Sequence, residues 1–209
     1  WMWGDNEYGA LGQNEHDAHR SSPVQVPGTT WDQFYGADYT SAAIKTDGTL
    51  WTWGRNDYGV LGQNEREGAA GKYGYSSPVQ IPGTTWKQAS CGKNAIWAIK
   101  TNGTLWAWGY NSFGGLGQNQ GTSPNSDRHK SSPVQIPGTT WDVVRCLSSS
   151  SVSAIKTDGT AWTWGANTYG VLGHNNEVHY SSPTQLPGTW DYLQSGSTYG
   201  LTGYQIDQA

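Results

Sequence analysis

Apolar and polar positions along this chain are arranged in short runs. One stretch reads WKQAS from Trp86, AIWAIK over 95–100, TLWAW over 104–108 and PVQI over 133–136. Each run is brief and rich in aromatic or branched residues, the habit of a half-buried β-strand. No segment carries a sustained apolar stripe with a period of 3.6 residues, so an all-β chain is expected rather than a helical one. The best specified turn lies between the second and third strands of each unit. Asp47-Gly48, Asn102-Gly103 and Asp158-Gly159 are Asx-Gly pairs flanked by strand formers. Such pairs predict tight antiparallel hairpins whose two central positions both need φ > 0.

The pattern repeats on a larger scale. WMWGDNEYGALGQN begins at Trp1, WTWGRNDYGVLGQN at Trp51, WAWGYNSFGGLGQN at Trp106 and WTWGANTYGVLGHN at Trp162, spacings of 50, 55 and 56 residues. Units of that period cannot bury their faces alone and must stack on their neighbours. Four-stranded antiparallel units repeated along one chain predict a β-propeller of about four blades. The whole of 1–209 reads as a single propeller domain, divided by tryptophan phase into 1–50, 51–105, 106–161 and 162–209. The pairs Trp1 and Trp3, Trp51 and Trp53, Trp106 and Trp108, and Trp162 and Trp164 each stand two residues apart. Both rings of a pair therefore leave one face of their strand and are expected to form the core between blades. An aromatic cage for sugars or methylated cations is the sharper alternative, but a cage has no need to recur in every copy.

The phase of the two ends adds an expectation. Aligning Trp190 with Trp31 places Ala209 opposite Leu50, so the residue after it corresponds to Trp51 and hence to Trp1. The strand at 1–4 could then complete the last blade and close a small ring. The same phase would arise if the units were part of a larger propeller.

The ordered elements W-x-W-G, N-x-[YF]-G-x-L-G and S-S-P-[VT]-Q resemble the repeats of the regulator of chromosome condensation family, in particular its bacterial and bacteriophage forms. The resemblance covers nearly the whole chain. It implies a propeller scaffold, and its best-known members include an exchange factor for a small GTPase and a secreted inhibitor of β-lactamase. Four copies instead of the family's usual seven is a departure, and no exchange residue can be carried over.

Composition narrows the function classes. The 209 residues include 29 Gly, 13 Trp and 12 Tyr, with 12 Lys plus Arg against 16 Asp plus Glu. A net charge of −4 without a basic stripe argues against a nucleic-acid partner. No apolar run approaches 18 residues, so no membrane span is expected. The histidines His16, His19, His129, His174 and His179 stand beside no recurring nucleophile or carboxylate, so no catalytic set is read, and no metal or cofactor. GRNDYGVLG lacks the Lys-Ser/Thr ending of a phosphate loop. Cys91 and Cys146 share one repeat position, where other copies carry Gly36 and Ser195. That reads as a place for a small residue, with a disulfide between neighbouring units as the alternative.

Specificity is therefore sought where the copies disagree. In an antiparallel blade the first-to-second and third-to-fourth connections emerge at one end, and the variable stretches 15–20, 65–75, 120–130 and 176–180 fall there. Charged and aromatic residues mingle in them, as in interface anchors. The candidate binding residues are Arg66, Tyr73, Tyr75, Arg128, His129, Lys130 and Tyr180. The expectation is a non-enzymatic recognition or structural propeller that binds a protein or cell-surface partner, or other subunits of a larger assembly. A displayed phage-particle component (fibre, decoration or tail protein) or a secreted or surface bacterial protein fits that reading. Regulation of a GTPase or another enzyme, by exchange or inhibition, is the alternative.

Overall fold

The computed structural model describes residues 1–65, 74–120, 128–148, 150–197 and 200–205. Sixteen strands are formed among them. Three complete blades are four-stranded antiparallel sheets. The first joins β3 (Trp31–Gly36), β4 (Thr40–Lys45), β5 (Leu50–Gly54) and β6 (Tyr75–Gln80). In the second, β7 (Trp86–Cys91), β8 (Ala95–Lys100), β9 (Leu105–Gly109) and β10 (Lys130–Ile136) follow in order. The third is β11 (Trp141–Cys146), β12 (Ser151–Lys156), β13 (Thr160–Gly165) and β14 (Tyr180–Thr189). Two half-blades flank them: β1 (Met2–Gly4) with β2 (Arg20–Val24), and β15 (Tyr192–Ser197) with β16 (Gly200–Tyr204).

The chain thus forms a partial propeller of all-β blades. Among the described strands β1 bonds only β2, and β16 bonds only β15, so strand 1–4 does not close the last blade. Each blade also straddles two tryptophan-phased repeats, because the repeat begins at the third strand of a blade and the blade at Trp31, Trp86 or Trp141.

Burial follows position within the blade. The second strands β4, β8 and β12 are buried over their first five residues and end on a partly covered lysine: in β8, Ala95, Ile96, Trp97, Ala98 and Ile99 are all buried. The fourth strands carry the prolines Pro78, Pro133 and Pro183 and lie at a sheet edge, where a missing N–H breaks no ladder. The core consists of clusters that span successive blades. Ala42, Ile44, Leu50, Leu61 and Ile81 pack with Trp86, Ala89, Ile96, Ala98 and Trp108, and Ile99, Leu105, Leu116 and Ile136 pack with Trp141, Val144, Val152 and Trp164.

The tryptophan pairs divide their labour. Trp53, Trp108 and Trp164 are wholly buried, while Trp51, Trp106 and Trp162 are partly covered. The latter three each meet the leading tryptophan of the blade edge to face, at 6.1–6.4 Å. Lys45, Lys100 and Lys156 lie over both rings of their pair at 4.5–5.0 Å, a cation–π contact on the blade flank. Trp1 and Trp3 depart from the expected core: they are 70% and 62% exposed. Trp53 and its equivalents are covered by the loop of the preceding unit and Trp51 and its equivalents by the first two strands of their own blade, and among the described residues β1 has neither beside it.

The Asx-Gly hairpins form, with one correction. Gly48, Gly103 and Gly159 have φ of +75° to +78°, but Asp47, Asn102 and Asp158 are not in the left-handed region. Gly48 N–H returns to Lys45 O and Lys45 N–H bonds Thr49 O, so each turn is a three-residue loop with glycine alone in the left-handed place. The Asx carboxyl or amide oxygen instead accepts from the backbone N–H and hydroxyl of the following threonine, as Asp47 does from Thr49 at 2.9 and 2.7 Å. That hydroxyl in turn accepts from the Trp51 indole at 2.9 Å.

Candidate functional site

The two ends of the blades differ in kind. At one end the second-to-third hairpins lie beside the P-G-T-T segments, where Trp86 N–H bonds Gly48 O and Trp141 N–H bonds Gly103 O. At the other end the first-to-second and third-to-fourth connections meet, where Arg55 N–H bonds Tyr39 O, Tyr110 N–H bonds Asn94 O and Ala166 N–H bonds Ser150 O. Backbone pairing at both ends fixes which loops face the same side.

Each third-to-fourth connection is knotted around its asparagine. The side-chain oxygens of Asn6, Asn56, Asn111 and Asn167 accept from the N–H of Leu11, Leu61, Leu116 and Leu172 at 2.8–3.0 Å. This knot holds the aromatic residue two positions later at an outward tip. Tyr58, Phe113 and Tyr169 adopt left-handed backbones, with φ of 58°, 54° and 68°. A non-glycine residue pays roughly 1–3 kcal/mol for that conformation. Three bulky rings retained there present aromatic surface at one end of the molecule.

The rings form small groups across successive units. Tyr58 lies 4.5 Å from Tyr110 and 4.8 Å from His129, which itself stacks on Tyr110 at 4.7 Å. Tyr8 packs edge-on to Tyr39 at 4.8 Å, with the Arg55 guanidinium 4.6 Å above its ring. Near the last complete blade, Phe113, Tyr169, Asp38 and Lys93 help line a cavity of about 640 Å³. Lys93 Nζ lies 3.7 Å from Asp38, and both side chains are more than half exposed. An open concavity with aromatic walls and one paired set of charges suits a protein segment or a small polar ligand better than a buried reaction.

The cysteines contribute no nucleophile there. Both are free thiols, so the alternative of a disulfide between neighbouring units is not formed. Burial pushes the Cys91 thiol far up, and that of Cys146 to about 12, while the Cys146 Sγ–H donates to Ser148 O. Both residues are partly covered and line the same cavity, but with their pKa raised they stay protonated and are poor nucleophiles. Among the described residues no three of His, Cys, Asp and Glu come together as metal ligands.

Three of the residues singled out from sequence share an address at the outer rim. Tyr75, Lys130 and Tyr180 begin the fourth strands, opposite Gly54, Gly109 and Gly165, and Arg20 holds the same place in β2. Tyr75 is partly covered and donates to Glu65, while Tyr180 accepts from the Asn176 amide at 3.1 Å. Lys130 and Arg128 are partly exposed. Arg66 and Tyr73 lie outside the described residues. His129 is not a displayed contact: it is 6% exposed, and its Nδ1 accepts from Asn111 N–H at 3.0 Å. His19 and His179 make the same bond to Asn6 and Asn167, so these histidines hold the loop.

The sequence reading missed Asp38, Lys93, Phe113 and Tyr169. Asp38 and Lys93 stand in short first-to-second connections that varied too little in length to draw notice. The two aromatics belong to the recurring motif, which read as scaffold throughout. A residue can recur and still face outward when its backbone is turned left-handed.

A model of the regulator of chromosome condensation (RCC1) repeat matches residues 47–99, 102–153 and 158–192, and a second model of that repeat matches 86–114. The probable E3 ubiquitin-protein ligase HERC4 of Homo sapiens is 29% identical over 97 residues, which are 46% of this chain and 9% of that protein. HERC4 of Rattus norvegicus and of Mus musculus match equally. Yeast RCC1 (Prp20), solved bound to Kap60, superposes with a TM-score of 0.79 at 16% identity, over 99% of this chain and 50% of that one. Human WBSCR16 gives 0.75 at 22% identity over 92% and 50%. The chain therefore spans about half the length of these solved propellers.

Proposed function

The chain belongs to the regulator of chromosome condensation (RCC1) repeat family, and from that premise we propose that it is a non-enzymatic propeller that binds a protein partner at its loop end. The carrying observation is the set of left-handed aromatics, with Phe113 and Tyr169 beside the Asp38–Lys93 pair on an open cavity. Backbone strain kept at three equivalent tips marks them as places where function is to be sought. The rim residues Tyr75, Arg128, Lys130 and Tyr180 extend this surface outward, and Arg66 and Tyr73, from the variable stretch 65–75, are assigned the same role from sequence.

The test is comparative affinity capture. A Tyr169→Ala, Lys93→Glu double variant is expected to lose partners that the parent chain retains, while Thr84→Lys at the hairpin end retains them. Equal retention by all three proteins refutes binding at the loop end. A second reading, regulation of a GTPase, draws support from yeast Prp20p, whose structure is described with its binding to Gsp1p and histones. Nucleotide release from a Gsp1-type GTPase measures it, and no stimulation removes it. Display on a phage particle or bacterial surface rests on the bacterial and phage flavour of the repeat alone.

A further inference from the structure

A second cleft lies in the seam between the first and second complete blades. It holds about 340 Å³, at the lower end of the range for small-molecule sites, and Gln63, Asn64, Trp86, Lys100, Trp106 and Ser132 line it. Trp86 and Trp106 meet edge to face at 6.4 Å, and the Lys100 ammonium lies 4.6 and 5.0 Å from their ring centres. Trp86 is buried, whereas Trp106 and Lys100 are only partly covered and Asn64 is exposed. The walls are therefore aromatic, with a few fixed polar groups set among them.

Those groups have bonding capacity to spare among the described residues. Gln63 Nε2 donates to the carbonyls of Leu61 and Gln80 at 3.3 and 3.1 Å, which fixes the side chain and leaves Oε1 an unused acceptor. Asn64 Oδ1 accepts from the Ser132 hydroxyl at 3.2 Å, which leaves Nδ2 an unused donor. Lys100 enters none of the ion pairs formed by described residues. The same set stands at the two neighbouring seams: Gln13, Asn14, Trp31, Lys45 and Trp51 at one, and Gln118, Asn119, Trp141, Lys156 and Trp162 at the other. Gln13 and Gln118 are fixed by the same pair of backbone carbonyls at 2.9–3.4 Å, and Lys45 and Lys156 lie over their two indoles as Lys100 does.

We propose that this seam is a carbohydrate site, in which a pyranose ring lies against the indoles and its hydroxyls bond Gln63 Oε1, Asn64 Nδ2 and Lys100 Nζ. A pyranose carries an apolar face of C–H groups that an indole can cover, and a rim of hydroxyls that both donate and accept. That double capacity matters, because the cleft offers an acceptor as well as donors. A proline-rich peptide presents carbonyls without N–H groups and would leave Gln63 Oε1 unmatched. A polysaccharide also repeats one unit, so three like seams can each hold a unit of it, and joint occupation raises the overall affinity. Recurrence of the tryptophans, lysines and amides then has a use beyond packing. The site is independent of the protein-binding surface at Phe113 and Tyr169, none of whose residues line it.

The experiment titrates the 209-residue chain with chitotetraose, cellotetraose, maltotetraose, mannotetraose and tetragalacturonate, and with decaproline alongside. Each is taken to about 10 mM, where a small ligand held by a few hydrogen bonds still registers. Calorimetry gives affinity and stoichiometry, and the indole N–H resonances report the place. At least one tetrasaccharide is expected to bind at three per chain and to shift the Trp106 indole signal. Asn64→Asp keeps the acceptor for Ser132, removes the Nδ2 donor, and should weaken one of the three sites about tenfold. Combined with Lys100→Met it should lower the stoichiometry to two, with unchanged circular dichroism. The proposal is overturned if no tetrasaccharide binds, if decaproline alone binds, or if a sugar binds both variants as it binds the parent. One tetrasaccharide per chain, lost in the double variant, supports this seam and removes its two counterparts.

Discussion

The indole N–H of Trp108 donates to the carbonyl of Val60 across 48 residues at 2.8 Å, with both groups buried. This bond joins one blade to the connection of the blade before it, so a residue of the recurring pattern binds two units together. Replacement by phenylalanine keeps most of the apolar area and strands the Val60 carbonyl. Trp108→Phe is expected to cost about 1–3 kcal/mol, the penalty for a buried acceptor left without its donor. Chemical denaturation measures it, and a loss below about 0.5 kcal/mol contradicts the inter-blade role.

Gly59 and Gly170 occupy one repeat position with φ of +77° and +72°, but only Gly59 faces a neighbour. Gly59→Ala adds a clash with Ser131 to the backbone strain and should destabilise by several kcal/mol. Gly170→Ala should cost only about 1 kcal/mol, the left-handed strain alone. Equal losses would show that the notch at Gly59 can relax.

His129 keeps the Asn111 N–H satisfied and stacks on Tyr110. His129→Ala should lower stability by about 1–3 kcal/mol, whereas Arg128→Ala, next to it but partly exposed, should stay within about 0.5 kcal/mol. Thermal melting of the two variants side by side makes the comparison.

His174 stands where the other copies carry Gln13, Gln63 and Gln118, with its Nε2 2.9 Å from the Thr163 hydroxyl. Desolvation lowers its pKa from 6.5. The folded state therefore resists a proton that the unfolded chain accepts. The contribution is complete above pH 6.5 and is lost as pH falls through the depressed folded value. His174→Gln should lessen the fall in melting temperature between pH 7.5 and 5.5. An unchanged slope would assign that fall to other groups.

The local elements were legible because each rests on neighbours along the chain. Short runs rich in aromatic and branched residues marked the strands, and the Asx-Gly pairs marked the hairpins, although Thr49 and its equivalents, by engaging the Asx side chain, left only glycine in the left-handed region. The candidate surface was legible in location and not in membership. His129 looked like a displayed loop residue because nothing in its neighbourhood announces the Asn111 N–H that it satisfies. Phe113 and Tyr169 looked like scaffold because repetition hides a ring that the backbone turns outward.

What the sequence by itself determined is the repeating unit: four short strands, their turns, and an order that only a stacked β-architecture can bury. Tertiary structure decided which copies of a shared residue are filled and which stand open. Trp3 and Trp108 have the same motif around them, but Trp108 is buried and Trp3 exposed, because burial belongs to the junction between units and the first unit has no predecessor in this structure.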